Sequence, residues 1–555
     1  MLKKIFFPLL SILFCFSASA QDMYSEYRSA WMKTAEETTP VLHYTQVKPV
    51  AVVKAIPDDR AFQGWRYEST GEDPKELYSK CFKDVKEITL DLGKHYVGYF
   101  SFHTKTLNRC QDAPIRFKFT FGELPAEMNT PLDPWKGSLS RAWMQDEVVT
   151  VTQVDTTVTI PRRLACRYVR IELLAASNDF DFAIDDLTFT AQSSAGEVKT
   201  ELLETCSNEI RRINDVSIET LRECMQTVYE DGPKRDQRLW AGDMYLESLA
   251  NRYSFRNFNM TKHCLYLFAG LSADDGIVIS NCFEKPKPHP QYGSYCLTYC
   301  LLWNSTLYEY LCDTADLETG NDLWIVAKRQ MEDALSYVDD RGVFDQYARG
   351  HYVWLFFDWR DGLDVNTPMQ GATIFALEQT YQLAKMLGRE EEVSHYPEIA
   401  KKMRKAARKY LYDKERGVFF SGNDKQVSVL GQTWMIKAGV LNVKEAQKAI
   451  RTALASDTTL MPGTPYATHY LIEAMIDAQM YDEARNYLTE YWGGMISKGA
   501  DTFWEAYDPK DDFISPYGFS PVNSACHAWS CTPVYFIHKY PEVFQNKRTR
   551  CVIMK

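Results

Sequence analysis

The sequence lacks the features that would send it to a membrane or to nucleic acid. Beyond the first twenty positions no run of about 18 apolar residues occurs, so no membrane-spanning helix is expected. Basic residues are in the minority, 63 Lys and Arg against 74 Asp and Glu, and a chain of formal net charge −11 is a poor general binder of nucleic acid. The 14 cysteines form no framework: Cys15 falls in the leader described below, the odd number left over is scattered, and no CxxC pair of zinc-site spacing occurs. Cys296 and Cys300, one helical turn apart, and Cys526 and Cys531, which flank His527, therefore read as buried thiols, with no metal and no cofactor expected. No repeated motif is visible, which argues against a tetratricopeptide-type solenoid.

What is present begins with a leader. Lys3 and Lys4 precede an apolar stretch from Ile5 to Phe16 and the small-residue signal Ala18-Ser19-Ala20. This is the pattern of a secretory signal peptide over residues 1–20, and it implies an exported protein, periplasmic or extracellular. Phe14 stands before Cys15 where a lipobox needs a small residue, which favours a soluble product over a lipid-anchored one. At 555 residues, 45% hydrophobic and 25% charged, the chain is an ordinary globular protein of two or three domains. Aromatics reach 14%, and flat apolar rings suit the C–H faces of sugars.

Two regimes of hydrophobic pattern follow. After a short polar lead-in to about residue 40, segments such as Glu87–Leu92, Tyr96–Phe102, Ile115–Phe121, Val148–Thr152, Tyr168–Leu173 and Ile184–Thr190 carry the alternation of strands, which predicts a β-sandwich, jelly-roll-like, over residues 21–195. Past Ser193-Ser-Ala-Gly196 the period changes to that of helices, among them Asn208–Tyr229, Leu323–Val338, Ala372–Leu387, Glu398–Leu411, Val443–Ala455, Ala467–Ala478 and Asp482–Tyr491. Helices separated by turns at hairpin intervals favour a closed helical toroid over 196–545, with a tail at 546–555.

Two segments of the helical part carry chemistry. Between Asp231 and Asp243 the chain reads Asp-Gly-Pro-Lys-Arg-Asp-Gln-Arg-Leu-Trp-Ala-Gly-Asp. Pro233 suits the first position of a helix, and Asp236, Trp240 and Asp243 would then share one face at i, i+4 and i+7. Spacing alone is equally compatible with Asp231 as a cap, Asp236 as a surface acid paired with Arg235 or Arg238, and Trp240 as core. The second segment, Lys498 to Asp508, again sets a carboxylate, Glu505, beside an aromatic, Trp504. Glycosidases need two such carboxyl groups, and ring closure would bring these distant segments together.

At these residues the chain resembles glycoside hydrolase family 78, the bacterial α-L-rhamnosidases, from about Leu92 to Phe544. The likeness is carried by Asp231-Gly-Pro233, Asp236 and Trp240-Ala-Gly-Asp243, by Phe357-Asp-Trp359, by Gly499-Ala-Asp-Thr-Phe-Trp-Glu505 and by Ser524-Ala-Cys-His-Ala-Trp529. Leu90 to Gly98 and Phe121-Gly-Glu123 look like the β-sandwich that precedes the family's barrel. The resemblance implies a six-hairpin (α/α)6 barrel and inverting, metal-free hydrolysis of a terminal α-L-rhamnoside in an oligosaccharide or polysaccharide. It implies Asp236 as general acid, Glu505 as the base that activates water, Asp231 and Asp243 as hydroxyl-binding carboxylates, and Trp240, Trp359 and His527 as pocket walls. Inversion would set the two catalytic carboxyls about 6.5–9.5 Å apart.

Asp358 beside Trp359, in the aromatic- and acid-rich stretch His351–Asp364, also reads as pocket wall, and Trp504 as a sugar-binding ring. Arg235 and Arg238 are either ion-paired or recognise a uronate next to the rhamnose. One departure stands out, because the family's usual acid is glutamate and this chain has Asp236, one methylene shorter. That leaves open a rhamnosidase of shifted geometry, an enzyme for a related 6-deoxy sugar, or a weakened catalyst that mainly binds glycan. A polysaccharide lyase acting on uronates is the further alternative.

Overall fold

The computed structural model describes residues 22–546, so the leader expected at 1–20, and all but the first residue of the tail, lie outside the described residues. Nine antiparallel strands build the N-terminal domain: β1 (His43–Val47), β2 (Ala51–Pro57), β3 (Trp65–Ser69), β4 (Glu87–Asn108), β5 (Ile115–Gly122), β6 (Asp146–Val151), β7 (Thr156–Thr159), β8 (Leu164–Ala175) and β9 (Asp181–Ser193). Two strands expected separately, at 87–92 and 96–102, are one long strand, β4, with an irregularity in its register between Asp91 and Tyr96. The first part of β4 pairs with β2 and β8, and the remainder with β9 and β7. Gly98 sits at the changeover, where a Cβ would lie 2.0 Å from the Thr190 carbonyl oxygen, so no larger residue fits.

Alternation explains the core of this domain. In β5 the side chains of Phe117, Phe119 and Phe121 point inward while Arg116, Lys118 and Thr120 do not, and the phenylalanines meet Phe100, Phe102 and Phe182 from β4 and β9. The residues taken as a polar lead-in contain a helix, Arg28–Glu37, and it belongs with the other domain. It packs on helix Phe258–Gly270, buries Trp31 completely, and ties Arg28 to the carbonyls of Gly270, Ser272 and Ala273. The expected β-domain range of 21–195 thus starts too early; a polar helix with one buried tryptophan has too little periodicity to announce its partner.

The helical domain has an inner and an outer ring. Helices Ala241–Arg252, Leu297–Thr314, Asn366–Met386, Val429–Lys437 and Pro465–Asp477 pack in succession, and Pro533–Lys539 closes the ring against the first of them. Inner helices are buried on most sides; every residue from Val429 to Ile436 and from Pro465 to Ile476 is buried. Outer helices are amphipathic: Val443–Leu454 buries Ala446, Ala449, Ile450 and Ala453 and exposes the rest of its surface. This explains why sequence periodicity located the outer helices better than inner ones such as Leu297–Thr314. No helix among the described residues is long and apolar enough to cross a membrane.

Candidate active site

The segment from Asp231 to Trp240 is a folded loop rather than the helix that Pro233 predicted. Helix Asn208–Cys224 ends early, and the next begins at Ala241, with Trp240 as its N-cap. Asp231 organises the loop: its carboxylate accepts from the backbone N–H of Asp236 (3.2 Å) and of Arg238 (3.2 Å), while its own N–H donates to the Arg238 carbonyl (3.0 Å). Short local side-chain acceptors of this kind compete with helix formation. Gly232 is required here, since a Cβ would stand 2.4 Å from the Arg235 carbonyl oxygen. Asp231, Asp236 and Asp243 therefore converge by loop folding, with Asp243 in the first turn of the following helix, and not by sharing one helical face.

Glu505 arrives from the far end of the ring. Its N–H donates to the Ser524 carbonyl (2.9 Å), its carbonyl accepts from Trp529 Nε1 (2.9 Å), and the His527 N–H bonds to the Phe503 carbonyl (2.9 Å). The side chain is 2% exposed. Its Oε2 accepts from Arg235 Nη2 (2.5 Å) and Ser524 N (2.9 Å), and Tyr517 donates its hydroxyl to Oε1. Burial pushes this carboxyl upward, but the Arg235 charge and the Tyr517 hydrogen bond outweigh it and hold Glu505 below the usual glutamate range. The same guanidinium reaches Asp236 Oδ1 (3.2 Å), donates through Nε to the Val522 carbonyl (3.1 Å), and lies 4.3 Å over the Tyr517 ring.

Glu505 and Asp236 line one pocket of about 380 Å³ together with Asp231, Trp240, Asp243 and His527. Burial, reinforced by neighbouring carboxylates, pushes Asp231 and Asp243 well above the aspartate range, whereas burial lowers His527 to about 4 and leaves its imidazole neutral at pH 7. Trp240 Nε1, Asp243 Oδ1 and His527 Nδ1 have no hydrogen-bond partner among the described residues. Buried polar atoms are seldom left unpaired, and a polyhydroxylated ligand would supply what these three lack. The remaining wall is aromatic: Trp240 meets Tyr299 and Trp354 edge-on, Phe356 lies parallel to Trp529 at 5.9 Å, and Trp359, 42% exposed, stands at the rim between Phe356 and Tyr517.

Two sequence expectations change, and the arginines take one of the two readings left open. Trp504 faces away from this pocket, packed on Phe62 at 4.4 Å in a separate cavity shared with the β-domain. Asp358 is a loop anchor: it accepts from Gly463 N (2.7 Å), Thr464 Oγ1 (2.7 Å) and Trp359 N (2.9 Å), and burial raises it to about 6. Arg235 is committed to Glu505. Arg238 bonds to Gln291 (3.1 Å), lies 3.6 Å from Asp236 Oδ2 and stacks on Phe283 at 4.3 Å, so both arginines are ion-paired. Sequence reasoning passed over Tyr299, Trp354, Phe356, Tyr517 and Trp529 as site residues. Trp354 and Phe356 stand in the aromatic stretch already singled out and Trp529 in a quoted motif, but nothing local marks Tyr299 or Tyr517.

Comparison with known proteins agrees with this architecture. Residues 49–191 match the glycosyl hydrolase family 78 alpha-rhamnosidase N-terminal domain, and residues 199–540 match the bacterial alpha-L-rhamnosidase 6 hairpin glycosidase domain. Among solved structures, a rhamnosidase from Klebsiella oxytoca with rhamnose bound superposes with a TM-score of 0.87 at 35% identity, covering 92% of this chain and 99% of that one. A family 78 rhamnosidase of Bacillus sp. GL1 shares the fold at TM-score 0.67 and 20% identity, over 81% of this chain and 46% of its own. The Streptomyces avermitilis alpha-L-rhamnosidase complexed with L-rhamnose does so at 0.63 and 15%, over 90% and 44%. A search of curated protein sequences gives no significant match.

Proposed function

This chain belongs to glycosyl hydrolase family 78, the α-L-rhamnosidases, and from that premise we propose that it is exported and removes terminal α-L-rhamnose from plant-type glycans with inversion, Asp236 acting as acid and Glu505 as base. The alternatives of a uronate lyase and of a non-catalytic glycan binder give way to hydrolysis. Export is supported by the leader pattern of residues 1–20.

One observation carries the assignment of the base: Arg235 donates to Glu505 Oε2 at the wall of a pocket that Asp236 also lines. A base must be ionised before the reaction, and Arg235 keeps Glu505 so. In the proposed step Glu505 takes a proton from water as the water oxygen bonds to the anomeric carbon. The glycosidic C–O bond breaks, and Asp236 gives its proton to the departing oxygen. The products are rhamnose and the free hydroxyl of the aglycone, and no cofactor is needed to balance them.

The ring is held by complementary means. Asp231, Asp243, His527 and Trp240 Nε1 present polar atoms for hydroxyl groups, and Phe356, Trp529 and Trp359 offer flat apolar surface for the C–H face and the C6 methyl. Proton NMR of the first turnovers on p-nitrophenyl α-L-rhamnopyranoside tests the stereochemistry. β-L-rhamnose appearing first is expected; α-L-rhamnose appearing first would establish retention and remove Glu505 from the role of base.

A further inference from the structure

The β-domain adds no side chain to the pocket, yet it enters the site from behind. Immediately after β5, Glu123 is 2% exposed and points into the barrel. Its Oε2 accepts from the Ala525 N–H (2.6 Å) and from Lys234 Nζ (2.9 Å), and its Oε1 lies 3.2 Å from His95 Nε2. Lys234 is buried as well, and donates to the carbonyl oxygens of Asn523 (2.6 Å) and Pro521 (3.3 Å) and to Glu127 Oε1 (3.1 Å). One carboxylate from the β-domain thus holds the residue before Arg235 in one loop and the residue after Ser524 in the other.

Those two neighbours are the ones that matter to Glu505. Arg235 Nη2 and the Ser524 N–H both donate to Glu505 Oε2, and Ser524 Oγ donates to the Arg235 carbonyl (3.0 Å), so the loops are sewn together at the point where they grip the carboxylate. We infer that Glu123 is a positioning residue for the reaction: by bridging Lys234 and Ala525 it sets the spacing of the two loops that orient Glu505, which makes the β-domain part of the catalytic apparatus. The inference rests on Glu505 being the base. Its physical content is geometric, because a misplacement of about 1 Å at a reacting group can cost on the order of 10²-fold in rate. Burial opposes the charge on Glu123, but Lys234 and His95 hold it down to about 2, so the bridge is anionic at working pH.

The test compares Glu123→Gln, Glu123→Asp, the double variant Glu123→Gln/Lys234→Met and Glu505→Gln, each checked by circular dichroism and Tm, with kcat and KM measured on p-nitrophenyl α-L-rhamnopyranoside. Glu123→Gln leaves the buried Lys234 with Glu127 alone as its carboxylate partner and is expected to lower Tm, whereas the double variant removes both members of the Glu123–Lys234 pair and should regain part of it. Positioning requires that kcat stay depressed by about 10- to 100-fold in the double variant, with KM within about twofold of wild type. A double variant that recovers both Tm and kcat would reduce Glu123 to a stabilising partner and overturn the proposal. Should the double variant not fold, Glu123→Asp decides: it keeps the charge and withdraws it from the loops, so wild-type kcat there overturns the proposal equally. An active Glu505→Gln would instead sink the assignment of the base, a result separable from either.

Discussion

Arg235 Nη2 lies 2.5 Å from Glu505 Oε2, a contact between residues 270 positions apart, with both side chains almost fully buried. Neither is tolerable there without the other. A buried carboxylate stripped of its cation costs about 3–5 kcal/mol, and Glu505 would recover part of that by taking up a proton. In Arg235→Met we therefore expect a stability loss of that order in urea denaturation. The acid limb of the pH–rate profile should also move to higher pH, because the base ionises later once the charge that held it down is gone.

Glu505→Gln keeps the shape of the side chain and removes the proton acceptor. A loss of about 10²- to 10⁴-fold in kcat is expected with little change in KM, as for a group acting in the transition state. Steady-state kinetics at the pH optimum check it.

An acid at position 236 is recognisable by its dependence on the leaving group. Asp236→Asn should cost far more on an alkyl rhamnoside than on p-nitrophenyl rhamnoside, whose leaving oxygen needs little protonation. Asp236→Glu restores the family's usual residue in a loop built for the shorter one, where Asp236 already sits 3.2 Å from Arg235 Nη1. We expect it to lower kcat rather than raise it.

Two tryptophans separate pocket from core. Trp504, packed against Phe62 and Tyr507, should cost about 3–5 kcal/mol of stability on truncation to alanine and leave KM nearly unchanged in the fraction that folds. Trp359, at the rim, should do the reverse: a small change in Tm and a raised KM. Equal effects on KM would show that the cavity behind Glu505 also takes substrate.

Acid should unfold the protein partly through Glu123. Its carboxyl stands at about 2 in the fold against about 4.5 in the open chain, so its contribution is complete above the higher value and is lost as pH falls through the lower one. Tm measured from pH 6 downward should fall below about pH 4.5 in wild type and less steeply in Glu123→Gln/Lys234→Met.

How legible the site was depends on what each residue answers to. Asp231, Asp236, Asp243 and Glu505 could be found because they stand in the motifs that resemble family 78, with Trp240 near the first three and Trp504 beside the last. Their arrangement could not, because Pro233 argued for a helix, while Asp231 closes a loop through two backbone N–H groups whose position depends on Gly232 and on Ala528 bonding back to the Asp231 carbonyl. Trp504 was misassigned for the opposite reason: adjacency to Glu505 in an extended segment places consecutive side chains on opposite sides. Tyr517 had no signal at all, since its partners Arg235 and Glu505 come from elsewhere in the chain.

Alternation of period two and the helical period were enough to determine two domains, because each pattern reports locally which face of an element must be buried. The acid-bearing motifs pointed to a sugar hydrolase through their resemblance to family 78. Tertiary structure alone decided that Arg235 pairs with Glu505, and that a β-domain glutamate bridges Lys234 and Ala525 in the two loops around that pair. Both depend on ring closure and domain docking, which bring together groups hundreds of residues apart, and such contacts leave no periodicity to read.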